Sequence, residues 1–188
     1  MEYIRTKLDG VFILQPKIFG DKRGYFFESF NQKEFNVNIG QKINFCQDNE
    51  SKSVYGVLRG LHFQKPPYAQ SKLVRVISGK VLDVIVDLRE DSKTFGKSLS
   101  IILDDKDKKQ LFIPRGFAHG FVVLSDEAVF SYKVDNYYAP DYEDGLMFDD
   151  KILNIDWKVK FEDIQLSQKD KENNNFKNVY KFKGELYD

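Results

Sequence analysis

The sequence predicts an all-β protein: a sandwich, jelly roll or barrel with a few short peripheral helices. Three observations carry this. Aromatic residues make up 15% of the 188 residues, with 17 Phe and 10 Tyr, and aromatic side chains suit half-buried pleated surfaces. About ten short segments rich in Val, Ile, Leu and Phe are punctuated by Gly, Asp, Asn, Ser or Pro. No helical pattern of roughly 10–15 residues stands between them, as a parallel βαβ sheet would require.

In chain order the segments are 11–16, 24–30, 43–48, 54–64, 72–78, 80–88, 98–103, 110–113, 119–124 and 128–134. Ser78-Gly79, between two of them, is a hairpin signal. Helical signals are weak: residues 32–35, and from Ser167 onward. Residues 167–178 are polar and contain Asn173-Asn174-Asn175, which predicts a short helix and then a loosely held C-terminal tail from about residue 171. The length fits one domain, 1–188.

Composition excludes several functions. Lys+Arg and Asp+Glu are both 29, so the chain lacks the basic excess that nucleic acid or an anionic membrane attracts. One cysteine, Cys46, cannot form an intrachain disulfide. No apolar run approaches the ~18 residues of a membrane span, and Met1-Glu2-Tyr3-Ile4-Arg5 shows no signal-peptide core. A soluble cytoplasmic protein is the expectation.

With a period of two, Leu58, Gly60, His62 and Gln64 share one face, Lys72, Val74 and Val76 another, and Ala128, Phe130, Tyr132 and Val134 a third. If all three faces line a barrel interior, His62, Lys72 and Tyr132 meet in an apolar cavity, where acids and bases have perturbed pKa values. Taken singly, His62 reads better as a core histidine, and Lys72 and Tyr132 as solvent-facing. Together they are more telling, because each interrupts an apolar pattern.

The second of only two histidines lies in Ile113-Pro114-Arg115-Gly116-Phe117-Ala118-His119-Gly120. This stretch resembles the second motif of the cupin superfamily, and Gly56, His62, Phe63, Gln64 and Gly79 resemble the first. Metal-binding cupins carry His-x-His and a following Glu. Here Gln64 replaces the second His, and Gln70 and Lys72 stand in the Glu region. An ammonium group repels a cation, so the implied barrel has exchanged its metal for acid–base chemistry.

A more specific resemblance runs from about residue 8 to Asp170. Its blocks are Asp21-Lys22-Arg23-Gly24-Tyr25-Phe26-Phe27-Glu28, Gln47-Asp48-Asn49, Val57-Leu58-Arg59-Gly60-Leu61-His62-Phe63-Gln64, Ala69-Gln70-Ser71-Lys72-Leu73-Val74-Arg75-Val76, Tyr132-Lys133, Tyr138-Ala139-Pro140 and Leu166-Ser167-Gln168-Lys169-Asp170. They are similar to the dTDP-4-dehydrorhamnose 3,5-epimerase family. The resemblance implies a cupin jelly roll that inverts C3 and C5 of dTDP-4-dehydro-6-deoxy-D-glucose by proton transfer. No redox cofactor is implied, because no electrons leave the sugar, and no metal, because the lysine plays the electrophile. His62 is the implied base, Asp170 its carboxylate partner, Tyr132 the acid on the opposite face, and Lys72 the cation beside the C4 oxygen. Asp83 is implied to pair with Lys72 or His62, with a purely structural buried ion pair as an equal alternative. Arg23 and Arg59 match phosphate ligands. Strict alternation points Arg59 away from His62, so either Gly60 hosts a bulge or Arg59 reaches over the strand end. Glu28, Gln47 and Asn49 match contacts to thymine and ribose, Tyr138 an aromatic stacked on the base, His119 a pocket histidine and Lys169 a phosphate contact. Phe19 and Phe26 would help enclose the base, or be simple core. In the family the N-terminal strands cross between subunits, implying a homodimer in which Arg23 and Glu28 serve the neighbour. Alternatives are epimerisation at one centre only, another nucleotide-linked 4-keto sugar such as a GDP-heptose, a non-catalytic sugar-binding cupin, and a metal-dependent oxygenase.

Overall fold

The computed structural model describes residues 1–187. Thirteen strands and two short α-helices form among them. The strands are β1 (Glu2–Arg5), β2 (Phe12–Gln15), β3 (Phe19–Asp21), β4 (Gly24–Phe26), β5 (Gln47–Val54), β6 (Leu58–Gln64), β7 (Lys72–Ser78), β8 (Lys80–Asp87), β9 (Ser98–Asp104), β10 (Gln110–Ile113), β11 (Phe117–Val123), β12 (Glu127–Val134) and β13 (Glu143–Gly145). Helix α1 spans Gln32–Ile39 and α2 Gln168–Lys171.

Two antiparallel sheets face each other. One has the order β1-β2-β10-β7-β12-β5 and the other β13-β6-β11-β8-β9, while β3 and β4 form a separate hairpin. This is the jelly-roll arrangement of a cupin. The interior takes alternate side chains from both sheets: Val74, Val76 and Phe130 from one, Val81, Ile85, Phe117 and Phe121 from the other. Because β8 and β11 are covered on both faces, their alternate side chains also build an outer core. There Leu82, Val84, Val86, Ala118 and Val122 meet Leu146, Trp157, Val179 and Phe182 from the C-terminal segment. A third cluster packs Phe35 of α1 against Phe12, Leu14, Leu73 and Phe112. Asn31 caps α1 by accepting a hydrogen bond from the Glu34 amide at 3.2 Å, and Gly40 ends it in the left-handed conformation.

Several expectations need correction. Ser78-Gly79 does turn the chain, but β7 and β8 pair with β10, β12 and β11, β9 respectively, not with each other. The turn passes the chain between sheets instead of closing a hairpin. The strand expected at 43–48 begins at Gln47 and continues to Val54. Strands β1, β3 and β13 were not expected. The segment after α2 is not loosely held, since Val179 and Phe182 are 2% and 1% exposed.

Candidate active site

His62 reaches the interior because β6 is irregular. Opposite β11 the register slips: Arg59 faces Phe121 and His62 faces His119, so β6 holds one residue more than β11 between those pairs. Of the two alternatives for Arg59, the bulge at Gly60 is the one present, and it brings Arg59 to the same cleft as His62. It also breaks the expected face. Leu58, Leu61 and Phe63 join the outer core, whereas Arg59 and His62 line the cleft. Glycine is needed twice here. A Cβ on Gly60 would lie 2.5 Å from the Gly120 Cα, and one on Gly120 would lie 2.6 Å from the Arg59 carbonyl oxygen. The two backbones approach this closely only without side chains.

The cleft has two lobes. One, about 490 Å³, is lined by Ser51, Arg59, His119, Phe121 and Phe130, with Ser167 and Asp170 at its wall. The other, about 300 Å³, is lined by Gln47, Asn49, Gln64, Gln70, Tyr138 and Glu143. His62, Lys72 and Tyr132 line both. Three residues from three strands and two sheets therefore stand where the lobes meet.

His62 Nε2 lies 2.5 Å from Asp170 Oδ1. A carboxylate only accepts, so Nε2 carries the proton and Nδ1 is the basic nitrogen. Asp170 gets there by local chemistry. Ser167 caps α2, accepting from the Asp170 amide at 3.1 Å and donating to its Oδ2 at 2.7 Å. Just before it, the Leu58 amide donates to the Gln165 carbonyl and the Gln165 amide to the Gly56 carbonyl, both at 2.9 Å. The helix is thus stitched to the start of the His62 strand. Burial pushes the Asp170 carboxyl up, but hydrogen bonds from His62, Ser167 and the Gly60 amide outweigh it and hold the group below the usual carboxylate range.

Lys72 is buried, and its Nζ donates to the His62 carbonyl at 3.3 Å. Burial lowers its pKa to about 8, against the opposing charges of Glu143 and Asp83. It remains mostly an ammonium at neutral pH. Burial raises the Tyr132 phenol, Glu143 adds to this and Arg59 opposes it, so Tyr132 stays a protonated donor.

Of the two expectations for Asp83, the pairing with Lys72 or His62 is absent among the described residues, and a buried structural pairing is present instead. Asp83 Oδ2 accepts from His119 Nε2 at 2.9 Å, forming a second histidine–aspartate pair deeper in the barrel. Its Oδ1 is buried without a hydrogen-bond partner among the described residues. Burial holds His119 below its ordinary pKa despite the Asp83 charge, with Lys72 and His62 acting the same way as burial.

Of the remaining expected residues, Gln47, Asn49, Arg59 and Tyr138 line the cleft. Lys169 reaches its edge, paired with Glu143 at 2.5 Å, and Glu143 also accepts from the Tyr138 hydroxyl at 2.7 Å. Phe19, Arg23 and Phe26 do not come to the cleft. They line a separate surface cavity on the β3–β4 hairpin, where Arg23 pairs with Asp21 at 2.6 Å. Glu28 is exposed beside them and accepts from Asn31 at 3.3 Å. Among the cleft residues that escaped the sequence reading, two make polar contacts in the site. Glu143 sits in the acidic run Asp141-Tyr142-Glu143-Asp144, which reads as a loop. Ser167 was findable, because Ser167-Gln168-Lys169-Asp170 has capping-box spacing.

A jelly-roll barrel with a carboxylate-backed imidazole, a neutral phenol and an ammonium around one cleft is a cupin-type enzyme equipped for proton transfer. The family model described as dTDP-4-dehydrorhamnose 3,5-epimerase matches residues 5–178, and the chain belongs to that family. The dTDP-4-dehydrorhamnose 3,5-epimerase of Shigella flexneri is 55% identical over 160 residues, covering 85% of this chain and 88% of that protein. The crystal structure of dTDP-4-dehydrorhamnose 3,5-epimerase from Elizabethkingia anophelis superposes with a TM-score of 0.91 at 51% identity, over 94% of this chain and 97% of that one. The dTDP-6-deoxy-D-glucose-3,5-epimerase of Legionella pneumophila, solved in complex with dTDP-4-keto-L-rhamnose, gives 0.88 at 47% identity, over 92% and 90%.

Proposed function

We propose that this chain inverts C3 and C5 of dTDP-4-dehydro-6-deoxy-D-glucose, yielding dTDP-4-dehydro-L-rhamnose. One observation carries the reading at this site: His62, Lys72 and Tyr132 are the residues common to both lobes, and His62 is backed by Asp170. Hydrogens on C3 and C5 are acidic because both carbons flank the C4 ketone. His62 Nδ1 removes such a proton, and Asp170 stabilises the imidazolium that forms. The electron pair moves into the C4 oxygen, and the Lys72 ammonium stabilises the enolate. Tyr132 delivers a proton to the opposite face of the carbon. Before the second round the His62 imidazolium releases its proton to solvent and the Tyr132 phenolate takes one up, and two such rounds invert two centres. His119, held by Asp83, contacts the sugar.

Arg59 is assigned to the diphosphate, Gln47, Asn49 and Tyr138 to the nucleoside, and Lys169 to the nucleotide end. Phe19, Arg23, Phe26 and Glu28 act on the cleft of a second copy in a homodimer with exchanged N-terminal strands. Supporting this, the hairpin offers Phe26 at 70% exposure and an Arg23 guanidinium that, among the described residues, pairs within its own turn.

Incubation with the substrate in deuterated water, followed by NMR, tests the reading. Deuterium is expected at both C3 and C5. Label at one carbon makes this a single-centre epimerase, and no label removes the catalytic assignment altogether.

A further inference from the structure

Beyond the cleft, the C-terminal segment ends in a cluster that the mechanism above does not use. After Phe182 the chain runs beside residues 88–91. The Phe182 amide donates to the Leu88 carbonyl and the Glu90 amide to the Phe182 carbonyl, both at 2.9 Å. Lys183 pairs with Glu90 at 2.8 Å, and the Gly184 amide donates to Asp91 at 3.0 Å. The strap then delivers Tyr187 to the end of the barrel. Its hydroxyl accepts from the Arg115 amide at 2.9 Å and shares a hydrogen bond with Ser71 Oγ at 2.7 Å. The Arg115 guanidinium lies over the Tyr187 ring, 5.0 Å from its centroid, and donates to the Leu186 carbonyl at 2.9 Å and to Asp135 at 3.1 Å. The other Asp135 oxygen accepts from the Ser71 amide at 2.5 Å.

This cluster sits at the root of Lys72. Ser71 is fully buried and precedes it, and Asp135 follows Val134, the cross-strand partner of Lys72. We infer that Tyr187 is a positioning residue for Lys72: through Ser71, Arg115 and Asp135, the C-terminal strap fixes the entry of β7 and hence the place of the ammonium in the cleft. Lysine is a flexible four-carbon stem, and a point charge acts only where it is held. The Lys72 end donates to one carbonyl at 3.3 Å, so the backbone at its root carries much of the placement. A misplacement of about 1 Å in a reacting constellation costs up to roughly 100-fold in rate.

The inference rests on the reading of Lys72 as the cation beside the C4 oxygen, and one experiment separates the two. Tyr187→Phe keeps the ring and its contact with Arg115 but removes the hydroxyl. Its kcat for epimerisation is expected to fall about 5- to 10-fold, with KM within about twofold of the parent, since the nucleotide contacts lie elsewhere. Ser71→Ala, which removes only the Ser71–Tyr187 hydrogen bond, should fall by a similar or smaller factor, and the double variant no further than Tyr187→Phe, because that variant already lacks this bond along with the one from the Arg115 amide. Should Tyr187→Phe fail to fold, Ser71→Ala carries the same expectation with the ring intact. Unchanged kcat in both variants, with or without a lower Tm, overturns the positioning role, as does a rise in KM alone. Lys72→Met supplies the control. If it keeps parental kcat, the reading of Lys72 fails and the strap inference with it. If it is inactive while Tyr187→Phe and Ser71→Ala are normal, the strap inference alone falls.

Discussion

The two histidine–aspartate pairs have the same chemistry in two different settings. His62 sits at the cleft with its side chain 28% exposed, and its carboxylate arrives from outside the barrel on a capped turn. His119 is 7% exposed, and its carboxylate stands on the neighbouring strand inside the barrel. The first pair leaves its basic nitrogen beside open space, while Asp170 is held ionised by three donors. In the second, burial disfavours the charged imidazole, and one Asp83 oxygen has no partner among the described residues. In the mechanism we propose, proximity of a carboxylate does not by itself make a histidine a base. Access to a proton, and stabilisation of the ion that results, separate the two.

The largest expected effect is at the open pair. His62→Asn should lower kcat about 1,000-fold or more, within the range for loss of general acid–base catalysis. His119→Asn should cost less, about 10-fold, acting on sugar contact instead of proton removal. Equal losses at both positions would erase the distinction between the pairs. Steady-state rates from a reductase-coupled assay decide it. Next is Asp170→Asn, expected to lower kcat about 100-fold with an intact fold, since an amide can hold the ring but not compensate the imidazolium. Circular dichroism and kcat measured together check this.

Stability should rank the pairs the other way. Asp83→Ala leaves the His119 N–H buried without an acceptor, at a cost of about 1–2 kcal/mol, the lower part of the range because an unpartnered oxygen disappears too. Asp170→Ala exposes His62 to a cleft that water can enter, so its loss should be smaller. Urea denaturation of both variants gives the comparison directly. A further check uses Lys72, whose pKa of about 8 predicts that kcat/KM falls as pH rises through that value and the ammonium is lost. A profile flat to pH 10 would remove the ammonium from the mechanism.

The difference between the pairs also marks what could be read from the sequence. The inward faces of β7 and β12 were legible, because Val74, Val76, Ala128 and Phe130 alternate and Lys72 and Tyr132 fall in phase with them. Strand β5 was not, since Gln47, Asn49, Ser51 and Ser53 put polar side chains on its inner face, with no apolar alternation to detect. The phase of β6 was legible only beyond Gly60, where His62 and Gln64 face the cleft as alternation predicts; before it the bulge reverses the phase, so Leu58 joins the outer core and Arg59 the cleft. Asp170 came from resemblance to a family, because nothing local ties it to a residue 108 positions away. Asp83 was seen as a buried charge, but its partner depended on which strands became neighbours. β11 lies between β6 and β8, which places His119, and not His62, against it. The strap was misread because its anchors, Val179, Phe182 and Tyr187, follow no strand or helix period in a segment rich in polar residues.

The smallest effect is the sharpest test of the buried pair. His119 is held below its unfolded pKa of about 6.5, so the unfolded chain binds a proton there that the folded chain refuses. The stability this contributes is present above about pH 6.5 and is lost as pH falls through the lower folded value. Asp170 is likewise depressed, but from the carboxylate range, so its contribution is lost only as pH falls below about 4. Acid titration of Tm should therefore show two stages, the first from His119 and the second from Asp170 with the other carboxylates. His119→Gln, which cannot titrate, should flatten the first stage and leave the second. If the first stage survives that substitution, His119 is not the group responsible. The dry, neutral character that separates it from His62 would then have to be given up.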